Sequence, residues 1–376
     1  MTRAMKAPLA ATLLMSTFLS TTGFAYAAPD VVVSIKPVHS LVASVMQGVG
    51  EPVLLLDGAT SPHDYALKPS QASELQSADL IFWIGEDLET FLEKPLETIG
   101  SNAKAVSMMD AEGLFTLPFR EGGAFEAHDH AHDDHDHSKN AHDDHKHDDH
   151  AHDEDKHDDH AHEEGKHDDH AHDDHAHEQK AEHDHNDHAE KAHDDHGHDH
   201  AKGAMDPHIW LDPQNAKVIA KAASDALSEV DPENAATYAA NLSDLNARLD
   251  ALGAEIDETL APAKGKAFVV FHDAYHYFEH RFDFEAAGSI TVNPEVQPGA
   301  ERVREIRDRI KELGAVCVFS EPQFTPAIVE TVTEGSNANG GVLDPLGAAI
   351  ENGPDLYPAL VRNMANSLAS CLSGES

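Results

Sequence analysis

DPENAATYAANLSDLNARLDALGAEIDETLAP, residues 231–262, is the stretch from which the fold can be read. Asp231 and Pro232 form an N-cap and first-turn pair. Behind them Tyr238, Leu242, Leu245, Leu249, Leu252, Ile256 and Leu260 recur at spacings of three and four, the apolar stripe of one long helix. Pro262 and Gly265 end it. At about 1.5 Å per residue the rod is expected to reach roughly 45 Å, and a rigid connection of that kind permits little hinge motion between whatever it joins.

The segments on either side have one style. Val31-Val32-Val33-Ser34-Ile35, Val53-Leu54-Leu55-Leu56 and Leu80-Ile81-Phe82-Trp83-Ile84 are short apolar runs separated by stretches of helical length, as expected of buried parallel strands. Phe268 to Phe271, Ala315 to Phe319 and Gly341 to Leu343 repeat the style in the second half. The fold class is therefore α/β, two sheet-centred lobes joined by the helix. The lobes are placed at 28–230 and 263–376, with the linking helix at 231–262.

Residues 126–200 do not belong to this pattern. They hold all but six of the 31 histidines and contain no Val, Ile, Leu, Phe, Tyr or Trp, so they have nothing from which to build a core. This part of the first lobe is expected to be disordered when metal-free. Lys146 to His152, Lys156 to His162 and Lys166 to His172 all read K-H-D-D-H-A-H, a ten-residue repeat. Repeats that stack into solenoids carry apolar residues in every unit; these multiply ligands instead. Imidazole suits zinc, copper and nickel, and His147, His150, His152, His157, His160, His162, His167, His170 and His172 are expected to form many weak, overlapping metal sites.

At the N-terminus Arg3 and Lys6 precede an apolar stretch from Leu9 to about Phe18, and Ala25-Tyr26-Ala27 supplies a small-x-small cleavage pattern. Residues 1–27 read as a signal peptide. Ser16, Thr17, Ser20, Thr21 and Thr22 interrupt the stretch, which falls short of the about 20 continuous apolar residues of a membrane span. With no cysteine near the cleavage point, a free periplasmic protein is expected. A formal charge of -43 over 376 residues argues against nucleic acid or an anionic membrane as partner and favours cations. The only two cysteines, Cys317 and Cys371, are expected to pair in an oxidising compartment.

Three of the six remaining histidines occupy positions suited to a ligand. His63 stands beyond a strand in Ser61-Pro62-His63-Asp64-Tyr65, His208 in Asp206-Pro207-His208-Ile209-Trp210-Leu211-Asp212-Pro213, and His272 directly after the strand Phe268 to Phe271. Ligands of open α/β sheets bind at strand carboxyl ends, and three neutral imidazoles there would make a tetrahedral zinc site with a fourth position open. Asp64, Asp212 and Asp273 read as caps and surface charges that could also orient the rings. His272, His276 and His280 are spaced i, i+4, i+8, which would align them only if one helix ran through all three. The pattern is not H-E-x-x-H and lacks its glutamate, so His276, His280 and His39 read as surface or packing residues.

Position alone does not assemble the three histidines; resemblance does. Gly58-Ala59-Thr60-Ser61-Pro62-His63-Asp64-Tyr65, the Asp206 to Pro213 stretch, Phe271-His272-Asp273-Ala274-Tyr275, Thr291-Val292-Asn293-Pro294-Glu295 and Leu343-Asp344-Pro345-Leu346-Gly347 resemble the motifs of the ZnuA-type solute-binding proteins of zinc importers, in the cluster A-I metal-binding family. The resemblance covers essentially the whole mature chain, including the acidic histidine-rich insertion and the cysteine pair. It implies two α/β lobes with metal in the cleft, and a protein that captures Zn2+ and delivers it to the membrane permease of an ABC importer. His63, His208 and His272 are the implied ligands. Pro62 stands where some members carry a carboxylate, so the fourth position falls to water, the favoured reading, or to Asp344, whose counterpart is a ligand in related manganese binders. Those binders typically carry a carboxylate where His272 stands, and a third imidazole argues for zinc. Periplasmic zinc chaperones are expected as further partners, and the chain is expected to be a monomer. A zinc enzyme needs a proton-transfer group and room for substrate that no motif supplies; a zinc store would depend on residues 126–200 alone.

Overall fold

The computed structural model describes residues 27–120 and 205–374, except 292, 293, 295–297 and 326. The signal segment up to residue 26 and the histidine-rich insertion 126–200 lie outside the described residues, as does most of the Thr291 to Glu295 motif.

The first lobe is built from β1 (Val31–Val33), α1 (Lys36–Val45), β2 (Val53–Leu54), α2 (Pro69–Ser77), β3 (Leu80–Trp83), α3 (Glu93–Thr98) and β4 (Lys104–Ser107). After the insertion come α4 (Pro213–Val230) and α5 (Ala235–Leu260), and then the second lobe: β5 (Phe268–His272), α6 (His276–Phe282), β6 (Gly288–Thr291), α7 (Ala300–Leu313), β7 (Cys317–Ser320), α8 (Ala327–Thr333), β8 (Asn339–Val342) and α9 (Leu356–Ser373). Each lobe holds a four-stranded parallel sheet, in the order β2-β1-β3-β4 and β6-β5-β7-β8. In both, the chain leaves the central pair of strands in opposite directions, so a topological switch point lies between β1 and β3 and another between β5 and β7.

Burial follows from the pairing. β1, β3 and β5 are buried along their whole length, as parallel strands covered on both faces must be. Along β5 the alternation of side chains sends Phe268 and Val270 into the large core and Val269 and Phe271 into a smaller one with Ile290, Ile306, Ile310 and Val318. The large core runs from Val31 through α1, α4 and α5 to Leu372 without a break between the lobes. α1 is buried on every residue because α4, α5 and α9 surround it.

The long helix starts at Ala235, later than the Asp231-Pro232 pair suggests. Asp231 instead closes α4, its N–H bonding Leu227 O, while its carboxylate accepts from Tyr238 Oη at 2.7 Å and Asn234 Nδ2 at 2.8 Å. Residues 231–234 thus serve as the turn between two helices. α5 has 26 residues, about 39 Å at the helical rise, and buries Tyr238, Leu245, Leu249, Leu252, Ile256 and Leu260 against α4, α1 and α9. Cys317, at the start of β7, is bonded to Cys371 in α9 with 6.1 Å between Cα atoms, tying the last helix to the second sheet. No helix among the described residues is long and apolar enough to cross a membrane.

Candidate metal centre

His272 is the last residue of β5, at the carboxyl edge of the second sheet and beside that lobe's switch point. His63 lies in the loop after β2, and His208 begins the 3-10 turn Ile209–Leu211 that leads into α4. These sites converge. One ring nitrogen from each of the three histidines lies within 4.8 Å of the others, and this is the one such group of His, Cys, Asp or Glu among the described residues. Ring centroids stand 5.4, 5.6 and 5.2 Å apart, nearly an equilateral triangle.

Two carboxylates fix the direction in which two of the rings point. His208 Nδ1 lies 2.7 Å from Asp206 Oδ1, and His272 Nδ1 lies 2.7 Å from Glu321 Oε1. With those nitrogens donating, both Nε2 lone pairs face inward, where they stand 3.3 Å apart. Two lone pairs facing each other at that distance need a proton or a cation between them. A tetrahedral zinc with bonds of about 2.0–2.1 Å separates its ligand nitrogens by roughly 3.3–3.4 Å, so this spacing is already that of a loaded site.

Burial sets the electrostatics. His208 and His272 are each 4% exposed, while His63 is partly open and forms the solvent side. Desolvation, with the charges of His208 and His272 when protonated, pushes His63 well below the ordinary histidine value and leaves it neutral. Burial works against a charge on His272 as well, but the charge and hydrogen bond of Glu321, with Asp273 and Asp206 behind it, reverse the balance and raise it. Burial pushes Asp206 up to about 7, the His208 backbone N–H opposing and Asp273 assisting.

Ser61, Pro62, Trp210, Glu321, Gln323, Phe324, Pro345 and Leu346 close the remaining walls around a space of about 10 Å³, the room of about one water molecule. The lobes are tied together beside it. Trp210 Nε1 donates to Pro345 O at 2.8 Å, Tyr357 Oη to Trp210 O at 2.8 Å, and Lys36 Nζ to Ile350 O at 2.8 Å.

The other sequence-predicted residues fall elsewhere. Asp344 is not in the group of three: its carboxylate accepts from Gln323 Nε2 and from the backbone N–H groups of Leu346, Gly347 and Ala348 at 2.6 to 3.1 Å, which shapes the loop carrying Pro345 and Leu346. α6 begins at His276, so no helix runs through His272, His276 and His280 and the clamp is not formed. His280 is exposed and packs its ring on Phe115 at 4.7 Å. His39 Nε2 bonds Pro52 O at 2.9 Å inside the first lobe. Asp64 is exposed, Asp212 caps α4 and pairs with Arg281, and Asp273 pairs with Arg120, so none of the three orients a ligand ring.

That role belongs to Asp206 and Glu321, which sequence reasoning missed. Asp206 is two residues from His208 and reaches its ring through a local turn. Glu321 is 49 residues from His272, and its one signal was Ser320-Glu321-Pro322, a carboxylate just past the strand that pairs with β5.

Comparison with known proteins identifies the family. The family described as "ZnuA: Zinc-uptake complex component A periplasmic" matches residues 31–371. A high-affinity zinc uptake system protein ZnuA of Brucella suis is 51% identical over 343 residues, covering 91% of each chain, and that of Haemophilus influenzae is 38% identical over 92% and 93%. A crystal structure of ZnuA superposes with a TM-score of 0.64 at 22% identity, over 92% of this chain and 100% of the other. Matched along nearly all of its folded length, the chain belongs to the ZnuA family.

Proposed function

We propose that this protein captures zinc through His63, His208 and His272 in the cleft and surrenders it to the membrane permease of a zinc ABC importer. As a member of the ZnuA family it is the periplasmic zinc-binding component of a high-affinity uptake system. The observation that carries the ligand assignment is the convergence of three ring nitrogens, two of them 3.3 Å apart with their opposite nitrogens held by carboxylates.

Capture follows from the chemistry of these residues. The rings are pre-aimed, so little ordering opposes binding, and the proton that Glu321 favours on His272 leaves as the ion enters. The ion exchanges its water shell for three imidazoles, and the small space beside them leaves a water in the fourth position, with Asp344 engaged by its own loop. The same space is too small for an organic substrate, which supports binding and transport over catalysis. Histidines 126–200 supply weak auxiliary sites that concentrate zinc near His208. The protein works as a monomer, and periplasmic zinc chaperones are candidate donors.

Radiozinc uptake in a cell deleted for this chain tests the reading. Under zinc limitation the wild-type gene should restore uptake and the alanine variants of His63, His208 and His272 should not. Full rescue by all three variants would refute it.

A further inference from the structure

Glu321 has chemistry that orienting His272 does not exhaust. It is 3% exposed; Oε1 takes the hydrogen bond from His272 Nδ1, while Oε2 is buried with no hydrogen-bond partner among the described residues. Burial, and then the charge of Glu321, raises the phenol of Tyr275, which donates to Leu343 O at 3.3 Å. A neutral acceptor such as a backbone carbonyl would hold the ring equally well, without a buried charge to desolvate. Asp206 stands in the same relation to His208 and is 1% exposed. The neighbouring carboxylates Asp273 and Glu279 are turned to Arg120 instead.

With zinc bound the three neutral imidazoles bring no charge to the cleft, and at pH 8, above the raised value of Asp206, the two ring-bound carboxylates bring two negative ones. A divalent ion makes this buried group neutral; a monovalent ion leaves one uncompensated negative charge in a dry site. We propose that Glu321, with Asp206, is a specificity-determining residue whose negative charge selects divalent zinc over monovalent copper, an ion that imidazoles also accept. The proposal rests on the zinc reading of the three histidines and adds to it the basis of discrimination.

The expected size follows from distance. A Zn–N bond of about 2.0–2.1 Å, the width of the ring and the 2.7 Å contact put the carboxylate roughly 6 Å from the ion. At an effective dielectric constant of about 20, one unit charge there is worth about a hundred-fold in affinity to a monovalent ion. The exponent is doubled for a divalent ion whatever the dielectric constant.

Glu321→Gln is the test, because its amide oxygen still accepts from His272 Nδ1 while the charge is gone. Zinc and copper(I) affinities are measured at pH 8 by competition with chromophoric chelators, anaerobically for copper, with the apo far-ultraviolet spectrum confirming the fold. The expected result is a zinc loss of about twice as many decades as the copper loss, so that the zinc-to-copper ratio falls about a hundred-fold. Equal losses for both ions, or none, would overturn the proposal and reduce Glu321 to a positioning residue. Asp206→Asn gives the same comparison should Glu321→Gln fail to fold. Absence of tight zinc binding in the wild-type cleft would instead defeat the zinc reading itself.

Discussion

Glu89 occupies the switch point of the first sheet, the place that in the second sheet carries His272, and replacing it should change how stability depends on pH. It is fully buried; its carboxylate accepts from Ser34 Oγ at 2.5 Å and from the backbone N–H groups of Ile84 and Gly85 at 3.0 to 3.2 Å. Burial raises it from 4.5 to about 7, the hydrogen bonds opposing without winning. An acid raised on folding binds its proton more tightly in the native state, so its contribution is fully present below about pH 4.5 and is lost as pH rises through about 7. Moving the carboxyl from 4.5 to about 7 is worth about 3 kcal/mol across that window. Urea unfolding of the metal-free protein at a series of pH values measures this. Glu89→Gln keeps the acceptor for the backbone amides and removes the titration, so wild type minus variant should fall by about 3 kcal/mol between pH 4.5 and 8. A difference that stayed constant across the window, or rose, would show that Glu89 does not bind its proton more tightly in the folded state.

Alanine at His63, His208 or His272 should cost the cleft site at least about a hundred-fold in zinc affinity, since an incomplete imidazole set remains, whereas alanine at His39, His276 or His280 should leave it within a few-fold; calorimetric titration separates the two groups. Zinc should leave the protein as pH falls through the acid range, because protons compete for every ligating ring, and the sites of residues 126–200 should empty before the cleft, as a two-phase release read with a zinc indicator. Serine at Cys317 and Cys371 should lower stability by roughly 4 kcal/mol for a closed loop of this length and leave zinc stoichiometry unchanged, because the bond joins the start of β7 while Glu321 follows its opposite end.

Much of this was written in local pattern. Val31–Val33, Leu80–Trp83 and Phe268–His272 declare themselves because a parallel strand buried on both faces must be apolar throughout. β4, Lys-Ala-Val-Ser, and β6, Gly-Ser-Ile-Thr, do not. Both lie at sheet edges, where one pairing partner and a few apolar atoms suffice, so their sequences look like loop. The three proposed ligands stood out through shared motifs and, for His63 and His272, through a place after a strand. Their orienting carboxylates were not, since Glu321 meets His272 only because β5 pairs with β7, a fact of sheet order that no local spacing encodes. Nor could the Asp231-Pro232 pair reveal that Tyr238 would recruit Asp231 and push the helix start to Ala235.

One tight site of three imidazoles is proposed to exist in the folded cleft independently of the histidine-rich insertion. Zinc titration of the chain lacking residues 126–200, followed by X-ray absorption at the zinc edge, tests it most directly. The expected result is a single saturable site of affinity similar to the tight site of the full chain, with about three imidazole nitrogens and one oxygen at roughly 2.0–2.1 Å. A folded protein that bound no zinc, or bound it through carboxylates alone, would contradict it.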